Sequence, residues 1–433
     1  MKGKSQGKKM RHEKIINRVY DPRRLRTAWH QVKKNAGAAG IDQMSVNDFD
    51  ERKDELLPLI HEKLRQDRYR FRPAKRVLIP KEGSNKMRKL GIPVIMDRIV
   101  SQSINLVFIE LFDQDFTESN YGFRTGHSQH QAIYHVRDIV REGYEWCASV
   151  DLASFFDEIP HSLILKLIRR KIQDEKLVTL IARALKAGIM VNGQFEKTEK
   201  GCPQGSPLSP MLSNIVLNEL DHELENRGHK YCRWADDFVV LVKTERAANR
   251  VMNGIVNYLE EDLNLPVNKE KSRVALIKDV TFLGFKILRG KIRISDKAKV
   301  KFKKRIRELT KRNNPFSMYQ VIQELNEYLR GWFSYFKIQE FLHTFSLLDG
   351  WIRSRLRSMQ LKKWKNPRKF QRMMIQAGYK PHDAQRVWMQ MNKWQSVDRK
   401  ETRFVMNLTW FRNQGLYFLH VKKQKTLELP FGC

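Results

Sequence analysis

The amino-acid sequence predicts an α+β domain that ends near residue 290, followed by a helical and strongly basic region. Two observations support this division. Short β-prone runs alternate with helical patterns up to about residue 290, whereas helical patterns prevail from Asp296 onward. The charge also changes along the chain, because residues 291–433 contain 32 basic and only 10 acidic residues.

The whole chain is basic enough to imply a polyanionic partner. Its 433 residues include 82 Lys and Arg against 48 Asp and Glu, which leaves a net charge of +34. Such an excess repels itself unless a polyanion neutralises it, and a nucleic-acid backbone is the commonest one. The alternative is a soluble protein that is merely basic. With 41% apolar residues the chain can build a core, which argues against disorder.

Cysteine usage and hydropathy predict a soluble protein of a reducing, intracellular compartment. The cysteines at 147, 202, 232 and 433 form no C-x-x-C pair, so neither a disulfide framework nor a structural zinc module is expected. The N-terminal stretch is basic but has no apolar segment behind it. No apolar run approaches the length of about 18 residues that a membrane span requires, so no membrane partner is expected.

The first element of the α+β part has a clear start. Asp21 is a good N-cap and Pro22 suits the first helical position, and Asn35-Ala36-Gly37 should end this helix. Further helices are expected over about residues 45–66, 97–112, 129–142 and 246–263. Strands are expected over Ala74–Pro80, near Cys147, around Arg273–Leu276 and around Val280–Leu288. A hairpin is expected where the arms Tyr231–Trp234 and Phe238–Val242 flank Ala235-Asp236-Asp237.

Three basic helices are expected after Asp296. The second carries Val321, Leu325 and Leu329 on one face and runs into Gly331-Trp332, which suggests a helix break with a buried indole. An apolar seam with basic outer faces is typical of a small helical bundle. The density of basic residues on consecutive helices favours binding to a phosphate backbone over simple solvated charge.

Three segments between residues 147 and 242 combine into a candidate catalytic site. Asp151 follows a β-like run and precedes the aromatic pair Phe155-Phe156, and Asp236-Asp237 lies between two hydrophobic arms. A Gly/Pro-rich loop, residues 201–210, separates them in the chain. Each segment alone has an ordinary interpretation, because an Asp pair suits a turn and a lone Asp often caps a helix.

Together, these acids suit a pair of Mg²⁺ ions. Two ions about 3.5–4 Å apart stabilise the attacking and leaving oxygens in nucleotidyl transfer. Each Mg²⁺ is held by one or two carboxylates together with phosphate oxygens and water. One acid from a strand end and one or two from an adjacent hairpin would supply such a site. Hydrophobic arms that bury the approach favour a metal site over a solvated turn.

The order of motifs resembles that of the reverse transcriptases encoded by bacterial group II introns, also called intron maturases, over roughly residues 20–415. Residues 35–42 resemble the N-terminal extension block, segments within residues 79–98 the first finger block, and residues 121–124 the second. The Asp151 segment, the Pro203-Gln204-Gly205 loop, the Asp236-Asp237 hairpin and residues 268–272 and 282–285 resemble the palm blocks. Residues 329–336 resemble the thumb, and the lack of a Cys/His-rich tail is similar to class C, which has no endonuclease domain.

The resemblance implies a right-hand polymerase fold in five parts. A basic N-terminal tail (1–20) would precede an N-terminal extension with fingers (21–145) and a palm with the catalytic aspartates (146–290). A helical thumb, or maturase domain X (291–365), and a small basic DNA-binding region (366–433) would follow.

The resemblance also implies a role for each matching residue. Asp151 and Asp236 would bind two Mg²⁺ ions with help from the Leu152 carbonyl, and Asp237 would complete the catalytic acids. The residues expected at the incoming dNTP are Lys81 and Arg88 on the triphosphate, Phe156 at the strand end excluding a 2′-hydroxyl, Gln204 on the nucleotide or templating base, and Lys271 protonating the leaving pyrophosphate.

Some of these residues have simpler interpretations, and two positions depart from the family pattern. Lys271 can be a solvated lysine at a helix end, and Phe156 can be a core aromatic. Trp234 stands where Tyr is usual, and Ser206 stands where Gly is usual. Neither change removes a metal ligand, so we expect polymerase activity to survive with an altered fidelity or rate.

The resemblance therefore predicts an RNA-directed DNA polymerase encoded by a group II intron, which also binds the intron RNA as a maturase. Its expected partners are the intron RNA, an RNA template with a DNA primer, target DNA and dNTPs, with monomer and dimer both open. It would assist splicing and insert the mobile intron by target-primed reverse transcription (retrohoming) in the bacterial cytoplasm or nucleoid. The alternatives are a domesticated reverse transcriptase for DNA repair or phage defence, and a splicing-only maturase, against which the intact acids argue.

Overall fold

The structure, a computed structural model, describes residues 14–80, 87–364, 367–376, 378–389 and 397–421. The chain forms two compact units, Met1–Phe282 and Leu283–Cys433. The five-part division implied by the family resemblance stays a prediction. Among the described helices, none combines the length and apolar character that crossing a membrane requires.

The first unit alternates helices and strands. Its helices are α1 Ile16–Val19, α2 Pro22–Asn35, α3 Val46–Glu51, α4 Lys53–Arg65, α5 Ile95–Phe112, α6 Gln129–Arg141, α7 Phe155–Glu158, α8 His161–Arg169, α9 Glu175–Leu185, α10 Ser209–Asn226 and α11 Glu245–Asn257. Its strands are β1 Ala74–Pro80, β2 Met87–Ile92, β3 Trp146–Val150, β4 Ile189–Val191, β5 Gln194–Glu196, β6 Lys230–Trp234, β7 Asp237–Val242 and β8 Arg273–Leu276. Three single turns, Asp113–Asp115, Tyr258–Asp262 and Ile277–Asp279, complete its described elements.

Two four-stranded sheets organise the first unit. One has the order β2-β1-β4-β5 and contains the antiparallel β1–β2 hairpin. The other, called the central sheet here, has the order β6-β7-β3-β8 and is antiparallel throughout. One apolar core joins helices and central sheet, and it includes Trp29, Phe108, Ile181, Val216 and Phe238. The ends of the central strands are therefore set by a rigid, buried framework.

Several elements follow from the sequence as predicted. The Asp21 side chain accepts hydrogen bonds from the backbone N–H groups of Arg23 and Arg24 at the start of α2. The strand predicted over Ala74–Pro80 has those bounds. The β3 strand is mostly buried, as its apolar composition requires.

Two elements differ from the prediction. The helix expected over residues 45–66 is divided at Arg52, whose backbone leaves the helical region (φ −107°, ψ 11°). The strand expected over residues 280–288 contains only Phe285–Leu288. Leu283 and Gly284 both have positive φ, which interrupts an extended chain.

The second unit is mainly helical, as predicted. It begins with an antiparallel pair of strands, β9 Phe285–Leu288 and β10 Lys291–Ile294. Its described helices are α12 Asp296–Leu309, α13 Met318–Phe336, α14 His343–Lys363, α15 Pro367–Gln376, α16 Pro381–Met389, α17 Lys400–Val405 and α18 Leu408–Asn413.

The helix break expected at Gly331-Trp332 is wrong. Helix α13 continues through Gly331 to Phe336. The indole of Trp332 is buried as predicted, with its ring centre 4.2 Å from that of Phe302 and 4.7 Å from that of Phe336. Burial of this apolar face on both sides of Gly331 outweighs the cost of about 1 kcal/mol that glycine imposes on a helix.

Candidate active site

The central sheet brings the two acidic segments together. Strands β3 and β7 are antiparallel neighbours, with Val150 opposite Phe238. The next position of the same register places Asp151 opposite Asp237, because paired residues in such strands run in opposite directions. Asp236 immediately precedes β7. Two segments that are far apart in the sequence therefore meet where the inner strands β3 and β7 of the sheet end.

The β6–β7 hairpin has a two-residue turn, which is shorter than predicted. Trp234 and Asp237 form its last pair, so only Ala235 and Asp236 lie in the turn. Ala235 has a φ of 57°, the left-handed conformation that two-residue hairpin turns need at their first central position. Asp237 is the first residue of β7 rather than a turn residue, which corrects the sequence-based hairpin.

Buried Arg233 holds the turn from beneath. Its Nε donates to Asp221 Oδ1 over 2.8 Å, and both side chains are fully buried. Its Nη1 donates to Asn214 Oδ1 and to the Ala235 carbonyl, both over 3.0 Å. The Asn214 amide donates in turn to the Gly122 carbonyl over 2.7 Å. A Cβ on Gly122 would lie 2.2 Å from the Ala235 nitrogen, so only glycine allows this close approach.

Asp151 is fixed by the segment 268–272, which the sequence analysis identified as a palm motif. Its backbone N–H donates to Ser272 Oγ over 3.0 Å, and its carbonyl accepts from the Asn268 N–H over 2.8 Å. The Lys271 ammonium lies 3.0 Å from Asp151 Oδ2, in an ion pair whose side chains are about half exposed. The carboxylate of Asp151 therefore already has a cationic partner.

One cavity of about 1080 Å³ brings most of the predicted site residues together. Its walls include Arg88, Asp151, Leu152, Phe156, Gln204, Asp236 and Lys271. The residue range 35–38 and Phe123, from motifs identified in the sequence, also line it. Asp237 is not one of the lining residues, and Lys81 lies outside the described residues.

The Asp237 carboxyl group is affected by the other two acids. Burial raises its pKa to about 7, with further contributions from the negative charges of Asp236 and Asp151. Asp237 as a whole residue is nevertheless exposed, as the first residue of β7. This repulsion indicates a concentration of negative charge that a bound cation would relieve.

The donor set suits Mg²⁺ only with ligands from outside the protein. The described residues contain no group of three or more His, Cys, Asp or Glu side chains placed to hold a metal ion. Asp151 and Asp236 on one cavity do fit the usual Mg²⁺ arrangement, in which one or two carboxylates combine with substrate phosphates and water. A cation at Asp151 would take the place of the Lys271 ammonium. The two-ion site stays a prediction.

The sequence suggested that Phe156 lies at a strand end. In the structure it lies on the short helix α7 instead. The residue before this helix, Ser154, has a φ of 49°, which turns the chain sharply after Asp151. The Phe156 carbonyl accepts from the Cys202 N–H over 2.6 Å, and the Ile159 carbonyl accepts from the Gly201 N–H over 2.8 Å. The Gly/Pro-rich loop therefore fixes the position of Phe156 at the cavity.

The same loop joins Gln204 to strand β2, which carries Arg88. The Gln204 carbonyl accepts from the Gly91 N–H over 2.7 Å. Gly205 has a φ of 122°, and a Cβ there would lie 2.5 Å from the Gly91 carbonyl oxygen. Only glycine permits this conformation and contact, so the Pro-Gln-Gly sequence has a local structural reason.

Sequence reasoning missed the buried residues that support the site, namely Asn214, Asp221 and Arg233. One signal for Arg233 was present, because a charged residue inside an apolar strand needs a buried partner. That partner, Asp221, lies on α10 among several other acidic residues, and nothing in the sequence distinguishes it.

Comparison with known proteins places this architecture in a family. Residues 79–287 match the reverse transcriptase (RNA-dependent DNA polymerase) family, and residues 299–376 match the group II intron maturase-specific domain. Protein YkfC of Escherichia coli (strain K12) is 30% identical over 328 residues, which span 66% of this chain and 86% of YkfC. The group II intron-encoded protein LtrA of Lactococcus lactis subsp. cremoris is 36% identical over 198 residues, which span 45% of this chain and 32% of LtrA.

Solved structures match with low overall similarity. Telomerase from Candida albicans in complex with a TWJ fragment of telomeric RNA is 13% identical, with a TM-score of 0.42, over 86% of this chain and 68% of that chain.

The chain therefore belongs to the reverse transcriptases of the group II intron type, with an α+β reverse transcriptase fold followed by a helical maturase domain. The family inferred from the order of motifs is confirmed. The match to LtrA covers only about a third of that protein. The class C assignment stays a prediction.

Proposed function

We propose that this protein is an RNA-directed DNA polymerase encoded by a group II intron, and that it also binds the intron RNA as a maturase. One observation carries the polymerase proposal. Asp151 and Asp236, from two distant segments, border the same cavity as Phe156, Gln204 and Lys271. This combination provides acids for cations, a bulky ring, a polar amide and an ammonium around one space.

The acids would position the reacting groups. Asp151 and Asp236 would hold two Mg²⁺ ions, with the Leu152 carbonyl as an additional ligand and Asp237 completing the negative charge. Bound Mg²⁺ would supply charge neutralisation at the attacking and leaving oxygens. The carboxylates themselves would orient the primer 3′-OH in line with the α-phosphate of the dNTP, and such positioning provides much of the rate in phosphoryl transfer.

Lys271 would change partners during the reaction. In the structure its ammonium pairs with Asp151. With a cation at Asp151, the ammonium would be free to donate its proton to the departing pyrophosphate oxygen. That bond to phosphorus breaks as the bond from the primer 3′-oxygen forms, and the 3′-OH proton leaves to solvent.

The other cavity residues would select the nucleotide. Arg88, and Lys81 in the predicted motif, would bind the triphosphate through charge-assisted hydrogen bonds. Phe156 would occupy the space that a ribose 2′-hydroxyl needs. The Gly91 N–H fixes the backbone of Gln204, and the Gln204 side chain would contact the nucleotide or the templating base.

The second unit would supply RNA and DNA binding. Its residues 299–376 match the maturase-specific domain, and residues 291–433 contain 32 basic against 10 acidic residues. Such a surface would hold nucleic-acid backbones by charge, as thumb and maturase domain and, in its last part, as a DNA-binding region. Splicing assistance and target-primed synthesis belong to the same proposal. The intact acids favour an active polymerase over a splicing-only maturase.

Replacing Asp236 with Asn tests the polymerase proposal. Primer extension on poly(rA)/oligo(dT) with Mg²⁺ should fall about 1,000-fold or more, because a ligand of the proposed ions loses its charge. Binding to RNA, measured by anisotropy, should persist. Asp54→Asn is the control, because Asp54 is an exposed acid on α4. Extension that persists in Asp236→Asn would refute the proposed site.

A further inference from the structure

A second cavity lies within the C-terminal unit. Its volume is about 220 Å³, and its walls include Arg330, Arg412, Tyr417 and Phe418. Arg330 projects from α13, and Arg412 lies in α18. The two aromatic residues belong to the chain that follows α18, residues 415–421, which we call the C-terminal segment. This cavity is smaller than the roughly 300–1,000 Å³ of drug-sized ligand sites, so it suits a single small ring.

The backbone of the C-terminal segment is held by two buried polar side chains. The Asn326 amide donates to the Gly415 carbonyl over 2.8 Å and accepts from the Tyr417 N–H over 2.8 Å. The Asp349 carboxylate accepts from the N–H groups of Leu419 and His420 over 3.0 and 2.9 Å. Asn326 and Asp349 are 3% and 5% exposed. Tyr417 and Phe418 are therefore presented from a fixed backbone.

Each anchoring residue has an arginine one helical turn further on. Arg330 follows Asn326 by four positions on α13, and Arg353 follows Asp349 by four positions on α14. Residues four apart lie on the same helix face. Arg330 lies over the ring of Tyr417 with its guanidinium 6.0 Å from the ring centre, and Arg353 lies 5.9 Å from the centre of Phe418.

Arg412 adds a third guanidinium, 6.0 Å from the centre of the Phe418 ring. Arg330 and Arg412 are both exposed. Within the part of the chain that the structure describes, neither forms an ion pair with a carboxylate, unlike Arg305 and Arg386 of the same unit. Two exposed guanidiniums without acidic partners, beside half-buried rings, leave the charge of this cavity uncompensated.

The chemistry of this cavity matches an unpaired nucleotide. Guanidiniums bind phosphate through charge-assisted hydrogen bonds, and unstacked bases bind to aromatic rings or to guanidinium planes. An acidic peptide would use the cations but not the ring faces. A base-paired duplex would offer phosphates but no base for the rings. The surrounding unit is strongly basic, which favours a polyanion.

We propose that Arg330, Arg412, Tyr417 and Phe418 form a binding site for one unpaired nucleotide of an RNA or DNA strand. The guanidiniums hold the phosphate, and the base lies against the rings and the guanidinium planes. This site goes beyond the polymerase reaction, because all its residues belong to the C-terminal unit and none has a role in the proposed chemistry.

The test compares two double variants of the full chain. Arg330→Gln/Arg412→Gln removes the proposed phosphate contacts. Arg305→Gln/Arg386→Gln removes the same charge from exposed arginines of this unit that already pair with Glu308 and Asp383. Anisotropy measures the binding of labelled rU12, dT12 and a blunt RNA–DNA duplex in EDTA without dNTPs, so a failure of the polymerase proposal leaves this readout unaffected.

We expect Arg330→Gln/Arg412→Gln to raise the Kd for a single strand about tenfold or more. The slope of log K against log salt should fall by about 0.7, since the proposed site holds one phosphate of a single strand and each such phosphate contributes about 0.7. The control pair should change the single-strand Kd less than about twofold. The strand with the larger loss, rU12 or dT12, identifies RNA or DNA as the source of the nucleotide.

Two results would overturn the proposal. Equal losses in both double variants would mean that the effect is general charge. Equal losses for the duplex and the single strands would mean that no unpaired base is bound. Phe418→Leu, which keeps an apolar side chain but removes the ring, provides a second variant. It should weaken single-strand binding about fivefold, the lower end of the effect of losing one stacked base, and an unchanged Kd contradicts the stacking.

Discussion

The two units bury an arginine in two different ways. Arg233 in the first unit is fully buried and forms an ion pair with Asp221, which is also fully buried. Arg357 in the second unit is 6% exposed, and its guanidinium donates twice to the Met406 carbonyl, over 3.2 and 3.0 Å. It also lies 5.5 Å from the centre of the Phe411 ring. No carboxylate among the described residues forms an ion pair with Arg357.

The difference follows the task proposed for each unit. The ion pair with Asp221 neutralises Arg233 and fixes its geometry. Arg233 Nη1 can then donate to the Ala235 carbonyl, and this hydrogen bond defines the turn that carries Asp236. A carbonyl and a ring support Arg357 without cancelling its charge, although burial lowers its pKa to about 10. At Arg233 an opposite charge therefore fixes a backbone, whereas the guanidinium of Arg357 keeps its positive charge without an ion pair to any described carboxylate.

Replacing each arginine with methionine should lower the free energy of unfolding by different amounts. Arg233→Met leaves the buried Asp221 charge without its partner and should lower the free energy of unfolding by about 3–5 kcal/mol. Arg357→Met leaves only a carbonyl without its donor and should lower the free energy of unfolding by about 1.5–3 kcal/mol. Calorimetric melting of both variants beside the wild type measures the difference. A loss for Arg357→Met as large as that for Arg233→Met contradicts the distinction.

A double variant separates the stability of the first unit from the geometry of its turn. Arg233→Met with Asp221→Leu removes both buried charges, and such replacements are often neutral or stabilising. We expect melting to return to within about 1 kcal/mol of the wild type. Primer extension should stay low, because the Ala235 carbonyl still lacks its donor. Full recovery of extension would mean that this hydrogen bond does not position Asp236.

These two arginines also show where sequence reasoning succeeds and where it ends. That the Asp151 and Asp236 segments meet could be predicted, because their neighbours form short, ordered motifs and the strands beside them have an apolar pattern. Their catalytic role stays a prediction. The partners of Arg233 and Arg357 were not predictable. Asp221 and Met406 lie on other elements, and only tertiary contact selects them from similar residues nearby.

The same limit explains two of the errors in local structure. The break expected at Gly331 follows from glycine's low helix propensity, but buried residues on both sides keep α13 intact. The hairpin turn was predicted one residue too long, because the left-handed conformation of Ala235 depends on the close approach of Gly122 and on Arg233. Asp237 consequently belongs to a strand.

The aromatic residues of the two units sharpen the comparison further. Tyr417 and Phe418 lie beneath guanidiniums, whereas Phe156 has no cation over its ring among the described residues. Because the Phe156 ring would occupy the space that a ribose 2′-hydroxyl needs, Phe156→Ala should increase ribonucleotide incorporation relative to dNTP incorporation by about tenfold or more. Phe123→Ala is the control, because Phe123 lines the same cavity. Competition primer extension with rNTPs and dNTPs measures the ratio, and equal ratios for both variants would place the sugar discrimination elsewhere.

The smallest expected effect is a pH dependence of stability, caused by the negative charges of Asp151, Asp236 and Asp237 in the first unit. Burial and the charges of Asp236 and Asp151 raise the Asp237 pKa from 3.8 to about 7. An acid with a raised pKa binds its proton more tightly in the folded state, so the stability it contributes at low pH is lost as the pH rises from about 4 to about 7.

In EDTA, the Tm of the wild type should therefore fall more between pH 5 and pH 8 than that of Asp237→Asn, because the amide does not ionise. Parallel melting at the two pH values gives the difference directly, and titrations common to both proteins cancel. Adding Mg²⁺ at pH 8 should restore part of the wild-type loss, since a cation offsets the repulsion among the acids. If the two proteins have the same pH dependence, the carboxylates do not repel one another in the folded state, and the first unit lacks the charge concentration that distinguishes it from the second.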